Sequence, residues 1–345
     1  MGTATFNWSY KSGAVLPNGT TVPTTADDVK PTGIIYIANF GNDNTGNGSR
    51  QRPYKTIAKS ITIGQTQVKI LGSGVYREII QSATLQIGIL VVGDGNVIID
   101  GSLVANSVAS GAYDAGFYNL TFKNWQNISN YSNLYSGCKF INIGAIDTGT
   151  ANDRYSKYKN CLFSYVGNGV DFWKINIAQA INSIQNCTFY KCSSIRFTES
   201  LISGGLYRLN SCIFYECNIH FLDNCETDFH TFFRCNVRFI ASTVAVPTVF
   251  YPSIPTGYTK IDDIATLRSS KNSVYPTAQV NYQNTTIADP LFNNLAVDDY
   301  TLSLVSPAKN RSYFGTYVGA FSIAKGLKVK ASATLSDFDN TTAIN

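Results

Sequence analysis

The amino-acid sequence predicts an all-β parallel solenoid in which each lap of chain stacks on the lap before it. Three observations lead there. A short apolar phrase recurs along the chain, a second phrase recurs in step with it, and no segment sustains the i, i+3, i+4 spacing of an amphipathic helix.

The first phrase reads Asn119-Leu120-Thr121-Phe122, Gly137-Cys138-Lys139-Phe140, Asn160-Cys161-Leu162-Phe163, Asn186-Cys187-Thr188-Phe189 and Ser211-Cys212-Ile213-Phe214, with a looser copy from His230 to Cys235. Successive starts lie 18, 23, 26 and 25 residues apart. Its second and fourth residues are apolar and the third is often polar, which is the period of a strand with one buried side. Cys and Phe then face the core, Lys139 and Thr188 face out, and the small residue that opens the phrase suits a turn. Stacking sets Cys on Cys and Phe on Phe, the thiols acting as small hydrophobes.

The second phrase is Val170-Asp171-Phe172-Trp173-Lys174, Ile195-Arg196-Phe197-Thr198-Glu199, Ile219-His220-Phe221-Leu222-Asp223 and Val237-Arg238-Phe239-Ile240, at steps of 25, 24 and 18 residues. Val or Ile and Phe point inward, leaving Asp171, Arg196, His220 and Arg238 as an outward column. Two phased strands in a lap of roughly 20–25 residues suit a β-solenoid.

Composition agrees. Hydrophobic residues make up 44% of the 345, enough for a sizeable core, while only 14% are charged, against about a quarter in ordinary domains. With 20 Phe and 21 Tyr to pack, the chain is not a disordered one. The net charge of +5 is spread without an arginine-rich stripe, so nucleic acid is not an expected partner. No run approaches the ~18 apolar residues of a membrane span, so no membrane insertion is expected. The start, Met1 to Trp8, has neither the basic nor the apolar part of an export signal. The eight cysteines (Cys138, Cys161, Cys187, Cys192, Cys212, Cys217, Cys225 and Cys235) contain no CxxC pair and are read as reduced and buried. His220 and His230, the only histidines, make no zinc site, and no metal is expected.

Both ends of this region resemble one family. Ile34 to Asn39, the loop Gly41-Asn42-Asp43-Asn44-Thr45-Gly46, and Pro53-Tyr54-Lys55-Thr56-Ile57-Ala58 resemble the opening of pectate-lyase-like β-helix proteins. Gly74 to Glu78 and Val97 to Gly101 resemble that family's first two coils. Ala288-Asp289-Pro290-Leu291-Phe292, Asp299 to Leu302, Ser306-Pro307-Ala308 and Val318 to Phe321 look like its closing coils. The resemblance implies a right-handed, single-stranded parallel β-helix with a short N-terminal capping helix. It divides the chain into an arm or attachment segment at 1–33, a β-helix at 34–321 with a loop-rich excursion at about 242–288, and a strand-like tail at 322–345.

Candidate chemistry sits on the second phrase. Glu199 and Asp223 fall in register one lap apart, about 5 Å, a spacing that suits retaining glycoside hydrolysis. By resemblance alone, Lys174, Arg196 and Glu199 can also be cast as parts of a polysaccharide lyase. Ca²⁺ enters only in that case, since no calcium motif is legible; otherwise no cofactor is expected. Asp171, Trp173, Lys174, Arg196, His220 and Arg238 form a candidate sugar-binding surface, an aromatic ring beside charged hydrogen-bonding groups. The same residues also read as a plain ladder of alternating charges, Asp171 beside Arg196 and Lys174 beside Glu199. Asp100, before Gly101, reads as a turn stabiliser.

The resemblance is strongest to β-helix proteins of bacteriophage virions, of tailspike or fibre type. The expected function is a virion structural or spike protein that binds host-surface polysaccharide or attaches to the particle. Such a protein is made in the host cytoplasm, forms a homotrimer, and contacts other virion proteins through 1–33 or 322–345. The alternatives are a polysaccharide lyase or glycoside hydrolase, free or as a depolymerase, and a secreted bacterial surface protein that binds glycans.

Overall fold

The computed structural model describes residues 33–62, 67–78, 89–102, 108–110, 115–130, 134–147, 157–167, 170–173, 183–193, 195–198, 207–221, 225–228, 230–239, 252–267, 285–309 and 318–320. The expected arm at 1–33, apart from Gly33, and the expected tail at 322–345 lie outside these residues.

The described chain is mostly β, and its strands pair in parallel as three ladders. The first ladder runs through Leu134–Ser136, Lys157–Lys159, Ser183–Gln185, Tyr207–Asn210 and Cys225–Asp228. The second runs through Lys139–Ile143, Leu162–Val166, Thr188–Tyr190, Ile213–Tyr215 and Thr231–Phe233. The third runs through Ala145–Asp147, Val170–Trp173, Ile195–Thr198, Asn218–Phe221 and Cys235–Phe239. Each lap visits the three in that order. Two long strands nearer the N-terminus, Leu90–Asp100 and Gly116–Lys123, belong to the first ladder with their leading halves and to the second with their trailing halves.

The repeated phrase sets the register. Phe122, Phe140, Phe163, Phe189, Phe214 and Phe232 are in-register partners on the second ladder, and their rings stack at centroid separations of 5.3, 4.9, 4.7, 4.9 and 5.1 Å. A parallel stack of Phe117, Tyr135 and Tyr158 rises on the first ladder and meets the phenylalanines edge to face, as at Tyr158–Phe163, 5.4 Å. These are the two arrangements that aromatic quadrupoles favour. Residues of all three ladders, among them Phe117, Phe140 and Ile219, share one apolar core.

The chain turns between ladders on single residues in the left-handed region. At the first corner these are Asn119, Gly137, Asn160, Asn186 and Ser211 (φ 54°, 63°, 53°, 50° and 56°). Asn and Gly reach this region at little cost, which explains the residue that opens the phrase. From Gly137 onward the residue after the corner is a cysteine, buried and reduced. Its thiol donates to a carbonyl of the preceding lap. Cys138 Sγ reaches Phe117 O at 3.2 Å, Cys161 Sγ reaches Tyr135 O at 3.4 Å, and Cys187 Sγ reaches Tyr158 O at 3.6 Å. A second column does the same at the second corner, where Cys192, Cys217 and Cys235 donate to Phe163 O, Phe189 O and Phe214 O at 3.6, 3.4 and 3.3 Å. Cysteine suits these places because it packs as a small hydrophobe and still carries a weak donor for an inward-pointing carbonyl.

The ends of the core are covered. The first strand, Ile34–Ile37, has its outer edge taken by the loop expected to precede the helix: Tyr36 N donates to Gly48 O (2.8 Å) and Tyr54 N to Tyr36 O (3.0 Å). The capping helix is present at Ile57–Thr62 and sends Ile57 into the core. Its first two amides, of Ile57 and Ala58, donate to the two oxygens of Glu78, each at 2.9 Å. At the other end Thr259–Ile261 pairs antiparallel with Cys235–Phe239, and Ile261 and Leu267 close on the core. The excursion expected to be loop-rich therefore contributes a strand and core side chains.

The segments expected as closing coils differ from that expectation. Thr286–Ile287, just ahead of them, extends the second ladder. Phe292–Asn294 and Asp299–Leu302 form an antiparallel hairpin laid over the outer side of the second ladder. The reason is the apolar outer side of that ladder. Leu162, Tyr190 and Tyr215 pack against Tyr300, and Ile213 against Leu302, Ala308 and Val318. Tyr300 Oη also bonds Ser164 Oγ at 2.8 Å, and Ala320 N donates to Thr188 Oγ1 at 2.9 Å.

Candidate functional site

The outward column expected on the third ladder is in register. Asp171 pairs with Arg196, Arg196 with His220, and His220 with Arg238. The side chains of Asp171, Trp173 and Arg196 lie outside what is described, as do residues Lys174, Glu199 and Asp223 altogether.

One expectation is corrected. His220 is not open to a ligand: it is 2% exposed. The segment at 252–258 crosses the ladder above it, with the Tyr258 ring 6.4 Å away at 65°. Arg238 is held by the same segment, its Nη1 donating to Thr256 O at 3.5 Å and its guanidinium 5.9 Å from the centre of the Tyr258 ring. Gly257 permits the crossing, because its φ is +80° and a Cβ there would stand 3.0 Å from Arg238 Cζ. Arg238 is thereby half-buried, and this part of the column serves to dock the chain's own cover.

Beside His220 the cover is fastened by a buried polar ladder. Asn218 Nδ2 donates to Ser193 O at 3.0 Å, while Asn236 Nδ2 donates to Asn218 Oδ1 at 2.8 Å and to Ser253 O at 3.0 Å. Ser193, Asn218 and Asn236 are fully buried. Burial of amides is tolerated when they bond one another and the backbone in this way.

An exposed edge that the sequence reading did not single out runs along the second corner. Its left-handed residues are Asn124, Asn142, Tyr165, Lys191, Glu216 and Arg234 (φ 59°, 54°, 54°, 51°, 51° and 51°). In the first two, the amides form a ladder ending on Asp100: Asn142 Nδ2 donates to Asn124 Oδ1 (2.8 Å) and Asn124 Nδ2 to Asp100 Oδ1 (3.0 Å). Asp100 also accepts from Ser102 N at 3.1 Å, the turn role expected of it, and lies 3.4 Å from Arg77 Nε. Burial raises its pKa, and the bonds from Asn124 and Ser102 with the Arg77 charge outweigh that, so the carboxyl sits below its ordinary value.

Farther along the edge the residue types change. Glu216 stands between two cations, 3.6 Å from Lys191 Nζ and 3.3 Å from Arg234 Nη1. Lys191 Nζ also lies 5.8 and 5.2 Å from the ring centres of Tyr165 and Tyr190, and the Arg234 guanidinium 4.9 Å from that of Phe233. Tyr165 is 44% exposed. The edge thus offers an aromatic face, cationic donors and a carboxylate within four consecutive laps. Neither a family model nor a curated protein matches this chain.

Proposed function

We propose that the chain is a right-handed parallel β-helix of a bacteriophage particle, a rod that presents the edge Tyr165–Lys191–Glu216–Arg234 to host-surface polysaccharide. The observation that carries the reading is the residue choice on that edge. The first corner makes the same turn with Asn, Gly and Ser. The second makes it with Asn on its first two laps and then with Tyr, Lys, Glu and Arg, for which left-handed backbone costs about 1–2 kcal/mol apiece. Nothing in the core calls for those side chains, and strain kept at an exposed position points to use. A ring face with mixed donors and acceptors suits a sugar and its hydroxyls. Three ladders around one core, with covered ends and a covered second ladder, favour a rigid carrier for such an edge.

The particle assignment and the trimer rest on the resemblance to β-helix spikes of bacteriophage virions, while the motifs at both ends resemble pectate-lyase-like β-helix proteins at large. Binding of the purified chain to polysaccharide extracted from the host surface tests the edge. Tyr165→Ala and Lys191→Ala each weaken retention on this reading, and full retention in both removes the edge from consideration. Trp173→Ala in parallel tests the third-ladder column, and stoichiometric peptides in purified particles test the assignment to a virion.

A further inference from the structure

We infer that the two thiol columns make folding conditional on a reduced chain and then shield the thiols from oxidation once the laps have closed. The inference is independent of the glycan reading. Cys138, Cys161, Cys187 and Cys212 follow one another on consecutive laps at the first corner, and Cys192, Cys217 and Cys235 at the second. All seven are buried and reduced.

As they stand the columns hold thiols. In-register neighbours on parallel strands are about 4.8 Å apart, inside the Cα range of a disulfide, and a bond would have to turn two side chains out of the column to bring their Cβ atoms to about 3.5–4.5 Å. It would also remove the S–H donors that meet Phe117 O, Tyr135 O and Phe189 O inside the core. A column of three leaves one thiol over whichever pair forms. In the unfolded chain nothing separates the eight thiols, and the possible full pairings number roughly a hundred. None of them reproduces the stacked arrangement.

The reaction that blocks folding is thiol–disulfide exchange with a small disulfide such as glutathione disulfide. A protein thiolate attacks one sulfur of the reagent and releases one glutathione thiolate, leaving a mixed disulfide. A second protein thiolate then displaces the remaining glutathione. Two protein thiols are oxidised, one disulfide is reduced to two thiols, and the protons pass to the leaving thiolates. After folding the attacking species is missing, because burial pushes the thiols of Cys138, Cys161, Cys187, Cys217 and Cys235 well above the ordinary cysteine pKa.

Cell-free synthesis of the full chain with dithiothreitol or with glutathione disulfide tests this, with a third reaction receiving the disulfide only after synthesis. The expected result is soluble β-rich protein from the first and third reactions and its loss from the second. In the soluble protein a maleimide should label none of the seven column thiols before unfolding, and all eight cysteines after it. Equal soluble yield from all three reactions overturns the inference, and so does labelling of any column thiol in the folded protein.

Discussion

Asn236 hands one side-chain N–H to Asn218 Oδ1, 2.8 Å away on the preceding lap, and its other contact, at 3.0 Å, is with Ser253 O in the covering segment. The same amide therefore joins two laps and fastens the cover over His220. Asn236→Ala takes a donor from the fully buried Asn218 Oδ1 and unfastens Ser253, and the loss at the buried oxygen costs about 1–3 kcal/mol. Denaturant unfolding should show that loss, and hydrogen exchange should rise first at 252–258.

The phenylalanine stack predicts a size-dependent penalty. Phe163 has ring partners on both sides, Phe140 at 4.9 Å and Phe189 at 4.7 Å. Phe163→Ala should cost about 3–5 kcal/mol, and Phe163→Leu clearly less, because less of the cavity remains. Since each lap rests on its neighbours, protection from hydrogen exchange should fall most in 139–143 and 188–190.

Asp100 predicts a change in acid stability. Its pKa is lowered on folding from an ordinary value of 3.8, so the stability it contributes is present above that value and is lost as pH falls through the lower, folded value. Asp100→Asn should therefore flatten the decline in thermal stability below about pH 4. It should also lower stability at neutral pH, where the ion pair with Arg77 is lost. An unchanged acid profile would place the pH dependence elsewhere.

Tyr165 predicts opposite effects on stability and binding. Tyr165→Asn puts a residue tolerant of left-handed backbone at φ 54°, as Asn142 does on the preceding lap. Thermal unfolding should show stability kept or raised by up to about 1 kcal/mol, while retention on host polysaccharide falls. A variant that loses stability and keeps binding would mean that the tyrosine is there for packing alone.

What was legible in the sequence was whatever repeats with a fixed residue type. Asn-Cys-x-Phe recurs because the corner wants a cheap left-handed residue, the next position a small buried donor, and the strand an inward ring. The second corner has the same geometry, but after Asn124 and Asn142 it keeps no residue type, so Tyr165, Lys191, Glu216 and Arg234 gave no pattern to find. His220 was placed on the right column and given the wrong exposure, because period two tells which way a side chain leaves a strand and not what later crosses above it. The cover at 252–258 is remote in sequence and carries no matching phrase. The apolar Leu162 and Ile213, at positions where Lys139 and Thr188 suggested an outward polar face, were the available sign that the second ladder would be covered.

The phrases are consecutive laps around one core, and a crystal or cryo-electron-microscopy density map of the protein is the measurement to make for that stacking. The account predicts Phe122, Phe140, Phe163, Phe189, Phe214 and Phe232 as one continuous ring stack, flanked by the cysteine columns at two corners. Density in which those rings are not neighbours, or in which the cysteines are joined in disulfides, would contradict it.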